Sequence, residues 1–270
     1  MCRILSVSRS GFYSWKKRPV SNRDLSNDKL LFYIRQIYAE SNKTYGSPRI
    51  TTALRAKGIT CNHKRVERLM RAKGIYAKTK KKFKITTHSK HKRPIAENLI
   101  KMDFTASGPN KVWTSDITYI RTREGWLYLS VFMDLYSRSI VGWSMNNRLS
   151  ESLVIKALKK ALWARRPPPG TIVHSDRGSQ YCSYDFKELV KNNNCLQSMS
   201  STGNCYDNAV TESFFHTLKT ELVYHEKYET RDQARKSIFK YIEMFYNRKR
   251  IHSTLGGVSP YQFEQMRVVA

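Results

Sequence analysis

Acidic side chains are scarce in this chain: 21 Asp and Glu stand against 49 Lys and Arg, leaving a formal charge of +28 over 270 residues and a pI near 10.0. That imbalance exceeds what solubility needs. It points to a polyanion, nucleic acid first, because phosphate neutralisation and counterion release drive such binding. On charge alone the bland alternative is a ribosomal or merely adhesive basic protein. Paired cysteines are missing as well. The five cysteines, at positions 2, 61, 182, 195 and 205, form no Cys-x-x-Cys, and their odd number speaks against a disulfide framework. A reduced, intracellular protein is therefore expected. His88 and His91 have no cysteine pair at finger-like spacing, so zinc is not expected. No apolar run approaches the ~18 residues of a membrane span, and the basic start lacks a signal peptide's apolar core. The expectation is a cytoplasmic, nucleoid-associated protein of a bacterial cell, with no membrane partner.

The basic charge that is present is unevenly spread. Residues 1–100 hold 25 basic and 5 acidic side chains, a net of +20, and the remaining 170 hold 24 and 16, a net of +8. The front third is thus the expected DNA anchor, and the rest is long and apolar enough to bury a core of its own.

Along the front third, Leu30, Ile34 and Ile37 recur at helical spacing and predict a short helix over 28–39. Tyr45-Gly46-Ser47-Pro48 starts a second, with Ser47 as cap and Pro48 in the first turn, ending at Gly58. A third runs from Asn62 to Ala72, with Val66, Leu69 and Met70 as its apolar stripe and His63, Lys64, Arg65, Arg68 and Arg71 facing away. Helix, short turn and basic helix make a helix-turn-helix outline over 26–77, although a three-helix bundle with a solvated basic face reads similarly. Residues 1–25 contain Val7-Ser8-Arg9-Ser10-Gly11-Phe12-Tyr13, which looks like the second half of another helix-turn-helix capped by Ser8. Its missing first half suggests a chain that is, or can be, the downstream part of a longer polypeptide. Residues 78–108 read as a basic linker that can also follow DNA backbone.

After Asn110 the pattern turns to strands. Val112–Thr122, Trp126–Met133 and Ile140–Met145 are rich in β-branched and aromatic residues, Glu151–Ala164 is an amphipathic helix, and Thr171–His174 is a short buried strand. The fold class expected is α/β, a mixed sheet flanked by helices over 109–226, followed by a helical extension over 227–270. Trp113, Trp126, Trp143 and Tyr181 are expected in the core or at its edge.

Three carboxylates stand out within this basic chain. Asp116 lies in the first strand and Asp176 just past the fourth. Glu212 lies on a late helix whose polar face gathers Asn208, Glu212, His216 and Lys219, while Val210, Phe214, Leu218 and Leu222 face the core. Carboxylates in a groove meant for phosphates make electrostatic sense when a divalent cation stands between the two, the makings of a phosphoryl-transfer site. They converge if the first and fourth strands lie side by side and the helix crosses them. Singly, each has a bland reading as a strand, turn or helix-surface residue. Asp103, Asp134 and Asp207 lack comparable surroundings and read as structural.

These motifs resemble those of insertion-sequence transposases of the three-carboxylate type, specifically the second-frame protein whose core is similar to retroviral integrase. The resemblance rests on the 35 residues between Asp176 and Glu212 and on Lys219 seven positions beyond the glutamate. It also rests on Val7–Tyr13, Tyr45-Gly46, His174-Ser175-Asp176, Asn208-Ala209 and Tyr246-Asn247-Arg248-Lys249-Arg250-Ile251-His252 with Leu255-Gly256, and so covers nearly the whole chain. It departs from the retroviral relatives in lacking their His/Cys zinc module.

The resemblance implies a ribonuclease-H-like core. Asp116, Asp176 and Glu212 would hold two Mg²⁺ ions, with Mn²⁺ as a substitute, for cleavage at element ends and strand transfer. DNA contacts are expected from Lys219 beside the site and from Lys64, Arg65, Arg68 and Arg71 of the basic helix. His174 could serve as a general base, but a metal-bound water needs no separate imidazole, so it is read as support for the site, as is Asn208. A homo-oligomer on DNA is expected, with an upstream-frame protein or fusion as a further partner. A nuclease that only hydrolyses and a catalytically silent DNA-binding regulator are the competing readings.

Overall fold

The computed structural model describes residues 2–78, 95–101, 103–201 and 208–268. Most of the basic linker, with His88, His91, Cys205 and Asp207, lies outside the described residues. The chain divides into two compact units, Met1–Ala77 and Lys78–Ala270.

The first unit is helical: α1 (Arg9–Lys16), α2 (Asn22–Glu40), α3 (Ser47–Ala56) and α4 (His63–Ala72). Ser8 caps α1 by accepting from the Gly11 amide at 3.0 Å. α2 starts six residues earlier than its apolar repeat predicts, because the Ser21 hydroxyl accepts from the Asp24 amide at 3.1 Å and begins the helix ahead of any buried residue. At α3 the cap is Gly46 rather than Ser47. Pro48 fixes the first turn, and the Ser47 hydroxyl meets His63 Nε2 at 3.0 Å instead. Leu30, Ile34, Ile37, Ile50, Leu54, Val66 and Met70 bury together as the small core.

The second unit is built on five strands: β1 (Val112–Thr122), β2 (Gly125–Asp134), β3 (Ile140–Asn146), β4 (Ile172–Ser175) and β5 (Leu196–Met199), in spatial order β3-β2-β1-β4-β5. β1, β2 and β3 pair antiparallel, whereas β4 joins β1, and β5 joins β4, in parallel. The mixed sheet follows from connection length. Arg123 and Glu124 suffice for the β1–β2 hairpin, closed by Gly125 at φ 108°, whereas parallel neighbours require helical crossovers. Those crossovers are α5 (Glu151–Arg165) and α6 (Tyr184–Asn192).

Alternation along β1 divides the two faces. Trp113 packs with Phe132, Val154, Leu158 and Phe186 beneath α5 and α6. Its neighbour Thr114 turns to α7 (Ala209–Glu221) on the other side. α5 lies close on β3 because Gly142 has no side chain: a Cβ there would stand 2.5 Å from the Ala157 carbonyl oxygen. α8 (Arg231–Phe239), the π-helical turn Lys240–Tyr246 and α9 (Pro260–Val268) complete the unit. Asn247 clips this segment to β3 by accepting from the Ile140 amide at 2.9 Å and donating to its carbonyl at 3.0 Å. Arg165 of α5 holds Glu264 of α9 with both guanidinium arms, at 2.8 and 2.9 Å.

Candidate active site

The parallel pairing of β1 with β4 sets the site. Its last pair is Ser115 with Ser175, so Asp116 and Asp176 follow side by side as the two strands part. α7 is held across β1 by hydroxyl and amide groups. Thr211 Oγ1 donates to Thr114 Oγ1 at 2.7 Å, and Asn208 Nδ2 donates to the Ser115 carbonyl at 3.1 Å, both in buried surroundings. Glu212 is the next residue after Thr211 and therefore stands beside the pair.

The helix is turned somewhat from its sequence reading. Thr211, Phe214, Phe215, Leu218 and Glu221 are its buried residues, while Val210 and Leu222, expected in the core, are only half-buried. The reason is chemical: hydrogen bonding drew Thr211, a residue with no hydrophobic signal, onto the sheet.

Each aspartate is tied by a backbone amide. Asp116 Oδ1 accepts from Ile117 N at 2.7 Å, and Asp176 Oδ1 accepts from Gly178 N at 3.0 Å. A Cβ on Gly178 would stand 3.0 Å from that same carboxylate oxygen, so glycine permits the turn to wrap the aspartate. Below them Tyr181 is fully buried with its hydroxyl 2.8 Å from Ser115 Oγ.

The electrostatics show that the three carboxylates share one field. Burial, then the charge of Asp176, holds Asp116 well above the ordinary carboxylate range; Glu212 adds to this, and the Ile117 amide and Lys219 oppose it. Burial and then Asp176 also raise Glu212. Burial lowers Lys219, which Asp116 pulls back up. Burial, followed by Asp176 and Asp116, lifts the Tyr181 phenol well above its usual value. Half-buried anions that raise one another's affinity for a proton raise their affinity for any cation. Hard oxygen donors of this kind suit Mg²⁺ or Mn²⁺. Among the described residues no group of three or more acidic, His or Cys side chains is arranged as a metal site. Asn208 contributes a buried Oδ1 that has no hydrogen-bond partner among the described residues.

His174 is buried in β4, with Nδ1 2.8 Å from Ser198 Oγ and Nε2 3.4 Å from Ser200 Oγ, which fixes the β4–β5 junction behind Asp176. Lys219 reaches the site and lies over the Tyr119 ring, its Nζ 5.1 Å from the centroid. His216 is exposed on the same helix. On α4, in the other compact unit, Lys64, Arg68 and Arg71 are exposed. Arg65, expected to face outward with them, turns back to α2 and donates to Asn27 Oδ1 at 2.9 Å and Ser26 Oγ at 2.8 Å. Asp134, buried at the end of β2, accepts from the Asn110 and Tyr136 amides at 2.8 and 2.9 Å, and Asp103 accepts from the Thr105 amide at 2.9 Å. Sequence reading missed Thr114, Thr211, Ser198 and Ser200. The one available signal was the placing of hydroxyls inside otherwise apolar elements.

Two models of the Integrase core domain match residues 106–205 and 212–268, and an HTH-like domain model matches residues 26–83. Transposase InsF for insertion sequence IS3A of Escherichia coli K12 is 47% identical over 266 residues, covering 98% of this chain and 92% of its own length. The insertion element IS600 uncharacterized 31 kDa protein of Shigella sonnei is 44% identical over 265 residues, covering 98% of this chain and 97% of its own length. Among solved structures, a chain of the simian T-cell lymphotropic virus intasome shares the fold at a TM-score of 0.51 and 15% identity, over 86% of this chain and 74% of that one. With an HTH-like unit ahead of a ribonuclease-H-like integrase core, and near-full-length identity to InsF, the chain belongs to the IS3 family of insertion-sequence transposases.

Proposed function

We propose that Asp116, Asp176 and Glu212 are the catalytic carboxylates with which this transposase cuts the ends of its element and joins the freed 3′-hydroxyl to target DNA. The observation that carries this reading is the end of the β1–β4 pairing, where two aspartates stand abreast with Glu212 beside them in a strongly basic chain. The three side chains would hold two Mg²⁺ ions, with Mn²⁺ able to replace them. Bound there, the ions supply positive charge to the scissile phosphate and favour deprotonation of the attacking hydroxyl.

The chain's own residues divide the remaining work. Asn208 and Thr211 fix α7 so that Glu212 faces the aspartates, and Gly178 keeps the Asp176 carboxylate oriented. His174 braces the strand end from which Asp176 projects. Lys219 holds the terminal phosphate or base of the element end. Cleavage and joining use one geometry because both are in-line displacements at phosphorus, the nucleophile being water in the first and a 3′-hydroxyl in the second.

The helix-turn-helix part of the helical unit, residues 26–77, supplies the DNA anchor, with Lys64, Arg68 and Arg71 on phosphates and Arg65 bracing α4 against α2. Pairing two element ends calls for more than one copy of the chain on the DNA, and an upstream-frame protein or fusion is a further partner.

The test is a pre-cut element end offered to the full chain with a second duplex. Mg²⁺-dependent joining, abolished by chelation, is expected. Hydrolysis without any joined product would reduce the activity to that of a nuclease, and neither product would leave a DNA-binding regulator.

A further inference from the structure

Past Ser115 the pairing with β4 stops, and β1 runs on to Thr122 with no strand on that flank among the described residues. Three residues beyond Asp116, about 10 Å along the strand and by alternation on its other face, Tyr119 is 38% exposed. Trp126, across on β2, is 45% exposed, although its sequence surroundings suggested the core or its edge. The two rings meet edge to face with centroids 5.0 Å apart at 81°. This contact fixes both rings without covering both of them.

A solitary exposed aromatic is ordinary on a protein surface, but this pair stands in particular company. Lys219, from the helix that carries Glu212, places its Nζ over Tyr119, 5.1 Å from the ring centroid. Arg121, exposed, is the cross-strand partner of Trp126. Tyr224, from the turn after α7, is half-buried near Tyr119, which together with the larger effect of burial raises its phenol. The combination of exposed rings interleaved with cations, on the strand that carries a catalytic carboxylate, has the chemistry of a single-stranded nucleic-acid platform.

We propose that Tyr119 and Trp126 stack an unpaired base of the DNA strand entering the carboxylate site, with Lys219 and Arg121 on the adjoining phosphates. This rests on the phosphoryl-transfer reading of that site. Bases inside a duplex are already stacked on one another, so the platform receives only a nucleotide freed from its partner, and it holds open a frayed element end. Because every base has a π-face, the contact is tolerant of sequence. Recognition of the end therefore stays with the helical unit, while the platform reads strand separation.

The full-length chain is assayed without divalent ions on a duplex with a short single-stranded 3′ tail and on a blunt duplex of equal length. 2-Aminopurine is placed in turn at each tail position. Stacking predicts quenching of the probe at one position in the wild type, and this needs no variant. Tyr119→Ala and Trp126→Ala should each lose that quenching and weaken tailed-DNA binding on the order of tenfold, with blunt-duplex binding unchanged. Tyr119→Phe and Trp126→Phe should retain both properties. Absence of quenching at every position overturns the proposal. So does equal weakening on both DNAs, or a change in self-association alone, which would make the pair a protein interface. Mg²⁺-dependent nicking by the wild type is read separately on the same tailed DNA. Nicking without quenching sinks the platform alone, and quenching without nicking sinks the catalytic assignment alone.

Discussion

The helical unit and the sheet unit carry similar net charge but hold it differently. Residues 1–77 have 17 basic and 4 acidic side chains, a net of +13, against +15 for residues 78–270. In the first unit the charge is dense and exposed, as at Lys64, Arg68 and Arg71. In the second, the decisive charges are few and partly or wholly withdrawn from water: the three carboxylates, Lys219, and the buried pair of Arg250 with Glu221. A long-range field summed over many exposed cations tolerates the loss of any one of them. A desolvated cluster does not, because each member sets the energy of the others. Attraction to DNA and reaction with it should therefore separate by mutation.

The largest separation is expected at the carboxylates. Asp116→Asn, Asp176→Asn and Glu212→Gln should each lower cleavage and joining on the order of a thousandfold or more, the equivalent of several kcal/mol of transition-state stabilisation. DNA affinity should be unchanged or slightly tighter, since each variant removes a negative charge near phosphate. Single-turnover kinetics beside binding anisotropy measure both, and substantial joining by any one variant removes that residue from the site.

Next in size is Arg250→Ala. Arg250 donates to Glu221 at 2.8 to 3.1 Å through Nε and Nη2, and Tyr241 donates to the same carboxylate at 2.7 Å, all in the core. Removing the guanidinium strands a buried anion at the end of α7 and should cost about 3–5 kcal/mol in denaturant unfolding. Lys57→Ala breaks an exposed pair with Glu40 in the helical unit and should cost less than about 1 kcal/mol. Comparable losses would erase the contrast between the units.

Lys219→Ala should lower joining of a specific end several-fold while metal-dependent nicking of nonspecific DNA largely survives. Wild-type joining across a range of salt concentrations would reassign Lys219 to the surface.

A smaller effect of opposite sign is expected for stability. Asp116 holds its proton more tightly in the folded chain than in the unfolded one, so its favourable contribution is complete below about pH 4 and is lost as pH rises through the folded-state titration. Asp116→Asn should consequently raise the chelator-treated protein's Tm by a few degrees at neutral pH and by nothing in acid. Mg²⁺ should stabilise the wild type more than the variant. Calorimetry at two pH values checks the sign.

The smallest individual effects belong to the helical unit. Lys64→Ala, Arg68→Ala and Arg71→Ala should each weaken DNA binding modestly and reduce the salt slope by about 1. Arg65→Ala should instead loosen α4 from α2, lowering the unit's stability with little change of slope.

By itself the sequence determined the elements and the candidates for chemistry. β1 is recognisable from its β-branched run, α5 from its apolar repeat, and Asp116, Asp176 and Glu212 from their flanking residues and spacing, because local patterns and short motifs are written in neighbouring residues. It also carried the charge imbalance that implies DNA. Tertiary structure alone decided what distant residues do to one another. The bond from Thr211 to Thr114 spans 97 residues and that from Arg250 to Glu221 spans 29, and neither has a periodic or compositional trace. Arg65 could not be told from Arg68 on a helix wheel until α2 offered it Ser26 and Asn27. Trp126 was expected in the core or at its edge because tryptophan in a strand usually is, yet it stands 45% exposed against Tyr119 near the β1–β2 hairpin, since which elements pack over that end of the sheet is set by distant residues and leaves no local pattern.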